Sequence, residues 1–194
     1  MKVLLTAMLS LLMVGYAFAA KPESDEEGGL PDQPMVKLAG LDGTSYTVAA
    51  GGDKPELVFI FSTRCPVSNS YISRMISIAK DYDSTLKIIG VNPNETESNE
   101  EVTRYVKEQK FPFSSYHDSG FKLVDSWKVK TTPEAFLMDK AGKLVYHGRI
   151  DDNPDESKVK SQDLRNVIDK LLAGKVTTTT KTSTFGCTIK RLSK

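Results

Sequence analysis

Buried strands alternate with amphipathic segments along the chain. The five apolar residues 57–61 are typical of a strand covered on both faces, and residues 86–92 repeat that pattern. Between these runs, apolar residues recur at helical spacing and predict a helix over residues 67–82. A second helical pattern covers residues 98–109. The β-α-β-α order predicts an α/β fold whose central sheet is flanked by helices on both faces.

Hairpins and two further helices complete the predicted elements. Residues 35–48 alternate apolar and polar positions around an Asp-Gly turn, which indicates a β-hairpin. Residues 135–147 hold two apolar runs on either side of a turn that ends at Gly142, where glycine adopts a positive φ without steric cost. A short helix is predicted at residues 121–127, and a closing amphipathic helix at residues 158–172.

The length of the chain suits one domain of ordinary size. Of its 194 residues, 39% are hydrophobic and 26% charged, so the chain can bury a core. We expect the domain to cover residues 35–174, after a flexible acidic lead-in at residues 21–34 and before a threonine-rich tail at residues 175–194. The 26 basic residues balance the 25 acidic ones, which argues against binding of nucleic acid.

Residues 1–20 have the layout of a cleaved secretory signal peptide. A basic start precedes the apolar run at residues 3–14, and the small residues at 17–20 form an A-x-A cleavage pattern. The apolar run is shorter than the roughly 20 residues that a bilayer span requires. We therefore expect a periplasmic or secreted protein with no stable membrane insertion after cleavage.

Export changes the interpretation of the two cysteines, Cys65 and Cys187, because exported thiols persist only when they are paired, buried or chemically active. A permanent disulfide across the 122-residue separation is the simplest structural interpretation, and the loop model gives it roughly 4 to 5 kcal/mol of stabilisation. Cys65, however, lies where a buried strand meets a helix, and the free amides there favour a thiolate. Pro66 suits the first helical turn, and Arg64 supports the thiolate if its guanidinium turns inward.

Several segments taken together resemble the thioredoxin superfamily, and within it the peroxiredoxin-like branch of AhpC/TSA-type redoxins. The similarity extends over about residues 35–190 and implies a thioredoxin-like fold with a central mixed β-sheet. It rests on an ordered set of motifs in one reading frame: LVFIFSTRCPVS at 57–68, TTPEAF at 131–136, the 139–142 turn, GRIDDNP at 148–154 and GCTIK at 186–190.

This resemblance implies a role for each site residue. Cys65 takes the place of the nucleophilic cysteine, and Ser68 takes that of its usual partner, so the motif is C-x-x-S. A serine hydroxyl can hydrogen-bond a thiolate but cannot close a disulfide, and Cys187 is the remaining candidate to resolve a mixed disulfide. Thr132-Pro133 matches the cis-proline loop, which lies beside the nucleophile and presents backbone to an incoming disulfide-bearing chain.

Three functions remain open from the sequence. The leading interpretation is an exported thiol-disulfide oxidoreductase whose partners are protein or small-molecule thiols and disulfides. The second is a thiol peroxidase, with peroxide as substrate. Peroxiredoxins proper place a proline and a hydroxyl residue before the cysteine, and here Ser62 fits this pattern whereas Val58 replaces the proline. The third is a binding domain that the disulfide merely staples.

No metal site and no cofactor are expected. His117 and His147 lack partners at metal-ligand spacing, so we interpret them as surface or groove residues. Arg149 is expected at the surface, and Trp127 in the core because of its bulk and helical surroundings.

Overall fold

The computed structural model describes residues 33–192 of the chain. The predicted signal peptide, and all of the predicted lead-in except its last two residues, lie outside the described residues. The described part forms strands β1 Val36–Ala39, β2 Ser45–Val48, β3 Glu56–Ile60, β4 Lys87–Asn92, β5 Ser114–His117, β6 Thr131–Thr132, β7 Glu134–Met138, β8 Leu144–Gly148, β9 Thr180–Lys181 and β10 Cys187–Thr188. Its helices are α1 Pro66–Ser70, α2 Ile72–Asp81, α3 Asn99–Glu108, α4 Lys122–Trp127 and α5 Asp163–Leu172.

Six of the strands form the central sheet, in the order β5-β4-β3-β7-β8-β9. Strand β3 is parallel to β4 and antiparallel to β7, so the sheet is mixed. Both β3 and β7 are buried along their whole length, as expected for apolar strands at the centre of a sheet that is covered on both faces. The predicted α/β fold is confirmed.

The alternation of side chains along β3 divides the core into two layers. Phe59 faces the layer that contains residues of α2, α3 and α5, whereas Val58 faces the layer formed by the β1–β2 hairpin and α4. Trp127 belongs to the second layer and is 3% exposed, which confirms its expected place in the core. Its indole Nε1 donates a hydrogen bond to the Pro34 carbonyl at 2.9 Å.

The helix predicted over residues 67–82 is interrupted at Tyr71, so that α1 and α2 are separate. The amide of Tyr71 donates to the Ser68 carbonyl at 3.0 Å, three residues back, which tightens the turn. The Ser70 hydroxyl donates to the Val67 carbonyl at 2.8 Å. Serine hydroxyls that bind nearby backbone groups compete with the helical pattern, and this explains the break.

The closing helix begins at Asp163 and not at residue 158, because backbone groups before it are bonded elsewhere. The Lys160 amide donates to the Asp152 carboxylate at 2.9 Å, and the Asp152 amide donates to the Ser161 carbonyl at 3.2 Å. A short 3₁₀ turn at Glu156–Lys158 occupies the start of the predicted helix.

Strands β5, β6, β9 and β10 are too short or too polar for the apolar pattern to predict them. Strand β9 lies beyond the expected domain end at residue 174, yet it pairs parallel to β8 at the edge of the sheet. Residues 175–192 thus return to the body of the protein. Among the helices of the described residues, none has the length and apolar character needed to cross a membrane.

Candidate redox active site

Cys65 and Cys187 are joined by a disulfide whose Cα atoms are 6.0 Å apart. Cys65 is the N-cap residue of α1, and Cys187 is the first residue of β10. The two cysteines that the sequence singled out therefore meet at one site, even though 122 positions separate them along the chain.

Two hydrogen bonds that are donated by backbone amides hold Cys65. The Ser68 amide donates to the Cys65 Sγ at 3.4 Å, and the Cys65 amide donates to the Ser62 hydroxyl at 3.1 Å. Pro66 occupies the first turn of α1, where a missing amide hydrogen removes no helical bond. An amide directed at the sulfur stabilises negative charge on it once the disulfide opens, because hydrogen bonds to ions are stronger than those between neutral groups.

Ser68 contacts the sulfur through its backbone rather than through its hydroxyl. The side chain is fully buried, and its Oγ accepts a hydrogen bond from the Ser62 amide at 3.0 Å. The hydroxyl thus holds the loop that precedes Cys65, while the amide faces Sγ. A hydroxyl–thiolate contact, which the sequence allows, is not the one that this structure uses.

The guanidinium of Arg64 is bound by a carboxylate of α3. It forms an ion pair with Glu101 of α3, in which Arg64 Nε lies 2.7 Å from Glu101 Oε1, and the side chain is 60% exposed. The expected support of the thiolate by Arg64 is therefore not observed, because the Glu101 carboxylate attracts the guanidinium outward. The same contact lowers the pKa of Glu101.

The Thr132–Pro133 peptide bond is cis. The carbonyl oxygen of Thr132 lies 3.4 Å from Cys65 Sγ. On its other side the loop pairs with β10 in antiparallel register, with Cys187 opposite Thr132 and Thr188 opposite Thr131. The cis-proline loop therefore contacts both cysteines of the disulfide.

The buried carboxylate of Glu134 holds the cis-proline loop through hydrogen bonds. It is 1% exposed, and its Oε1 accepts hydrogen bonds from the Thr131 amide at 2.7 Å and the Thr131 hydroxyl at 2.8 Å. His147 Nε2 lies 2.9 Å from its Oε2. Burial acts to raise the pKa of Glu134, but the hydrogen bonds from His147 and Thr131 outweigh burial and hold that pKa below its ordinary value.

A second buried carboxylate, Glu97, organises the loop before Cys65. It is 1% exposed and accepts hydrogen bonds from the Ser62 hydroxyl at 2.5 Å and the Thr63 amide at 2.7 Å. It also accepts hydrogen bonds from the Thr63 hydroxyl at 2.8 Å, from Asn92 Nδ2 at 2.6 Å and from Asn94 Nδ2 at 3.0 Å. The sequence analysis missed this group. Its signal was a cluster of polar residues directly after β4, a strand parallel to the one that leads to Cys65.

Both histidines make internal contacts; the interpretation as a surface or groove residue is wrong for His117, which is buried, whereas His147 is only half-buried. His117 is 9% exposed, and its Nε2 lies 3.1 Å from the Asn94 carbonyl. His147 stacks on Phe136 with ring centroids 4.2 Å apart, in addition to its contact with Glu134. Within residues 33–192, no group of three or more His, Cys, Asp or Glu residues is arranged to hold a metal ion.

A cleft of about 330 Å³ lies beside the disulfide. Its walls include both cysteines and the residues Arg64, Glu97, Thr132 and Lys190. Cys65 is only 4% exposed, whereas Cys187 is half-buried. Of the two cysteines that line this cleft, Cys187 is therefore the more exposed.

Comparison with known proteins agrees with this geometry. The thiol-disulfide oxidoreductase ResA of Halalkalibacterium halodurans is 24% identical over 148 residues, which cover 75% of this chain and 82% of that protein. An uncharacterized conserved protein from Geobacillus kaustophilus superposes with a TM-score of 0.77 at 21% identity, covering 87% of this chain and 94% of that one. A putative thioredoxin from Neisseria meningitidis gives 0.61 at 23% identity, covering 73% and 90%.

These structural neighbours show that the fold is thioredoxin-like, as the resemblance of the motifs implies. The family model of AhpC/TSA matches residues 31–147, a segment that includes the buried strands, the Cys65 junction and the cis-proline loop. Since this segment makes up more than half of the sequence, the chain belongs to the AhpC/TSA family.

Proposed function

We propose that this protein is a thiol-disulfide oxidoreductase in which Cys65 is the nucleophile and Cys187 the resolving cysteine. The observation that carries the proposal is the disulfide between a helix N-cap cysteine and a tail cysteine that is paired with the cis-proline loop. The name of the relative from Halalkalibacterium halodurans agrees with this assignment.

The reaction begins with the reduced dithiol. The Cys65 thiolate attacks one sulfur of a substrate disulfide, and the other substrate sulfur leaves as a thiolate with the electron pair of the broken bond. The Cys187 thiolate then attacks Cys65 Sγ, which forms the internal disulfide and releases the second substrate thiolate. The substrate gains two electrons and, after protonation, becomes a dithiol, while the protein is oxidised by two electrons.

Regeneration starts at the other sulfur. Because Cys65 is 4% exposed and Cys187 is half-buried, a reducing thiolate attacks Cys187 Sγ, and Cys65 is the leaving group. The Ser68 amide, 3.4 Å from Cys65 Sγ, stabilises the departing thiolate. A second reducing thiolate then attacks the reductant's sulfur in the mixed disulfide at Cys187, so that Cys187 leaves as a thiolate and the two reductant sulfurs form a disulfide.

The surroundings of Cys65 favour disulfide exchange over peroxide reduction. The hydroxyl of Ser62, which matches the peroxiredoxin pattern, donates to Glu97 at 2.5 Å and is not free to bind peroxide. The guanidinium of Arg149 is bound by a carboxylate, since its Nε lies 2.7 Å from Asp163 Oδ2. Val58 stands where the peroxiredoxin pattern has a proline.

Protein disulfides outside the cytosol are the substrates that we propose, with residues 1–20 removed on export. An oxidising compartment supplies disulfides for such a dithiol to reduce or exchange. Sequencing the amino terminus of protein recovered from the extracytoplasmic fraction tests the export step. A mature chain that begins near Lys21 supports it, and an intact Met1 in that fraction contradicts it.

The catalytic proposal is tested by single turnover of the reduced full chain with the disulfide-bonded protein insulin. Wild type is expected to reduce insulin and to end with the Cys65–Cys187 disulfide. The Cys187→Ser variant is expected to stop as a Cys65–insulin mixed disulfide, and Cys65→Ser is expected to be inactive. Hydrogen peroxide replaces insulin in a parallel assay. Consumption of peroxide at a higher rate than reduction of insulin would contradict the proposed substrate class.

A further inference from the structure

The residues around Cys187 are bound to the body of the protein as an extended peptide. Before the cysteine, the Thr184 hydroxyl lies 3.1 Å from the Thr131 hydroxyl. At the cysteine, β10 pairs with the cis-proline loop over two residues. We call residues 184–192 the docked segment, because contacts continue along it on both sides of the disulfide.

The docked segment has a second line of backbone contacts after the cysteine. The Lys190 amide donates to the Asn94 side-chain carbonyl at 2.8 Å, and the Glu95 amide donates to the Lys190 carbonyl at 3.1 Å. The Leu192 amide donates to the Glu95 carboxylate at 2.8 Å. Backbone contacts of this kind bind any extended chain, and the side chains between them set the preference.

Two side chains of the docked segment define such a preference. Ile189, two positions after the cysteine, packs against the core layer that contains α4. Arg191, four positions after it, forms an ion pair with Asp125, and its guanidinium lies 4.0 Å from the centre of the Phe121 ring. The Asp125 and Glu95 carboxylates make this end of the groove acidic.

We propose that this groove is the substrate-binding site and that Asp125 and Glu95 determine its specificity. The substrate is a protein segment in extended form whose disulfide-bonded cysteine takes the place of Cys187, with an aliphatic residue two positions later and a basic residue four positions later. The inference rests on the proposed function, since it assigns the partner of the same disulfide chemistry. The docked segment competes with the substrate for one groove.

Competition for the groove gives the resolving step a second consequence. After Cys65 has formed a mixed disulfide with the substrate, attack by Cys187 breaks that bond, and the substrate sulfur leaves as a thiolate. The docked segment then replaces the substrate on the cis-proline loop and on the Asn94–Glu95 turn. Reaction and release of the reduced substrate are coupled, because one segment can occupy the groove at a time.

The test uses the full chain with Cys187→Ser and three chromogenic disulfides. The first is a peptide with the sequence of residues 184–192, in mixed disulfide with thionitrobenzoate, and the second is the same peptide with Arg191→Glu. The third is the thionitrobenzoate disulfide of glutathione. In each reaction Cys65 attacks the cysteine sulfur of the probe, and coloured thionitrobenzoate leaves with the electron pair.

We expect the first peptide to react at least about tenfold faster than the glutathione probe, since the peptide, unlike glutathione, can make the backbone contacts of the docked segment. Reversing the charge at Arg191 is expected to slow the peptide by about fivefold, the size of effect that an exposed ion pair supports. Adding Asp125→Asn to the protein is expected to abolish most of the difference between the rates of the two peptides. Asp83→Asn, an exposed carboxylate on the α2–β4 turn, is the matched control and is expected to change nothing.

The outcomes separate this inference from the function on which it rests. Equal rates for all three probes overturn the groove proposal and leave Cys65 as a nucleophile of low selectivity. A difference between the rates of the two peptides that survives Asp125→Asn overturns it as well. Failure of all three probes to release thionitrobenzoate contradicts the proposed function itself, and the groove proposal with it.

Discussion

Cys187 lies directly opposite Thr132 in the antiparallel pair that β10 forms with β6. The same Thr132 has its carbonyl oxygen 3.4 Å from the sulfur of Cys65. One loop residue therefore positions both sulfurs, one through strand pairing and one through its carbonyl. Substitutions in β10 or in the cis-proline loop should therefore alter the formation of the disulfide, even when both cysteines are retained.

Gly186 is one such position. A Cβ atom there would overlap the Thr132 carbonyl, so Gly186→Ala is expected to push β10 off the loop. Overpacking of this kind costs about 1–3 kcal/mol, and the oxidised protein should lose that much free energy of unfolding in urea. The disulfide should also close more slowly in a glutathione redox buffer. The control is Gly120→Ala, because a Cβ at Gly120 meets no atom within 4 Å; equal effects of the two substitutions would contradict the contact.

The difference in exposure between the two cysteines predicts which of their sulfurs a reductant attacks. When the oxidised protein is mixed briefly with a small thiol and quenched with acid, the mixed disulfide should be found on Cys187, with Cys65 released as a thiol. Peptide mapping by mass spectrometry locates the adduct. An adduct mainly on Cys65 would show that the tail opens before the reductant arrives.

The disulfide should also contribute to stability, because it closes a loop of 122 residues. The chain-entropy model gives about 5 kcal/mol for a loop of this length, and measured values for native disulfides are about 2–5 kcal/mol. We expect Cys187→Ser to lose a free energy of unfolding in this range relative to oxidised wild type. Reduced wild type serves as the control and should match the variant. A difference below 0.5 kcal/mol, on the order of a neutral surface change, would contradict the estimate.

Glu134 should make stability depend on pH in the acid range. Its pKa is lowered in the folded protein relative to the reference value of 4.5, so the folded state binds its proton less readily than the unfolded state does. The stabilisation is therefore complete above pH 4.5 and is lost as the pH falls through the folded pKa. Glu134→Gln should remove this part of the dependence.

At neutral pH the Glu134→Gln variant should be less stable by about 1–3 kcal/mol, because the amide replaces a buried ionised acceptor. Both effects are measured by urea unfolding at pH values between roughly 3 and 7, a range that includes the titration of carboxylates. Glu156→Gln, at an exposed residue of the 3₁₀ turn, is the matched control. If the free energy of unfolding depends on pH in the same way in the variant and in the wild type, Glu134 is excluded as a source of the acid sensitivity.

The sequence predicted those features whose cause is local. The apolar run of β3 placed Cys65 at the start of a helix, and the position of Pro66 agreed with a first helical turn. The cis bond at Pro133 came from the resemblance of its loop, since sequence position alone favours trans. The mixed order of the sheet also came from the resemblance, whereas its two-sided core could be predicted from strands whose residues are apolar on both faces.

Features that depend on distant parts of the chain could not be predicted in the same way. Glu97 and Glu134 are buried because donors from other elements surround them, and a single carboxylate in a sequence carries no sign of such partners. The outward direction of Arg64 depends on Glu101, which lies 37 residues away. The register of β10 is set by the disulfide and by backbone pairing. Neither leaves a periodic pattern of apolar residues in the sequence.

The reduction potential of the Cys65–Cys187 disulfide is the most direct test of the account. Oxidised full-length protein is equilibrated with graded mixtures of reduced and oxidised dithiothreitol or glutathione, and the thiols are counted after trapping. We predict a reversible potential between about −270 and −120 mV, the range of known thiol-disulfide oxidoreductases. A potential below about −300 mV would identify the bond as a permanent structural staple and contradict the redox function.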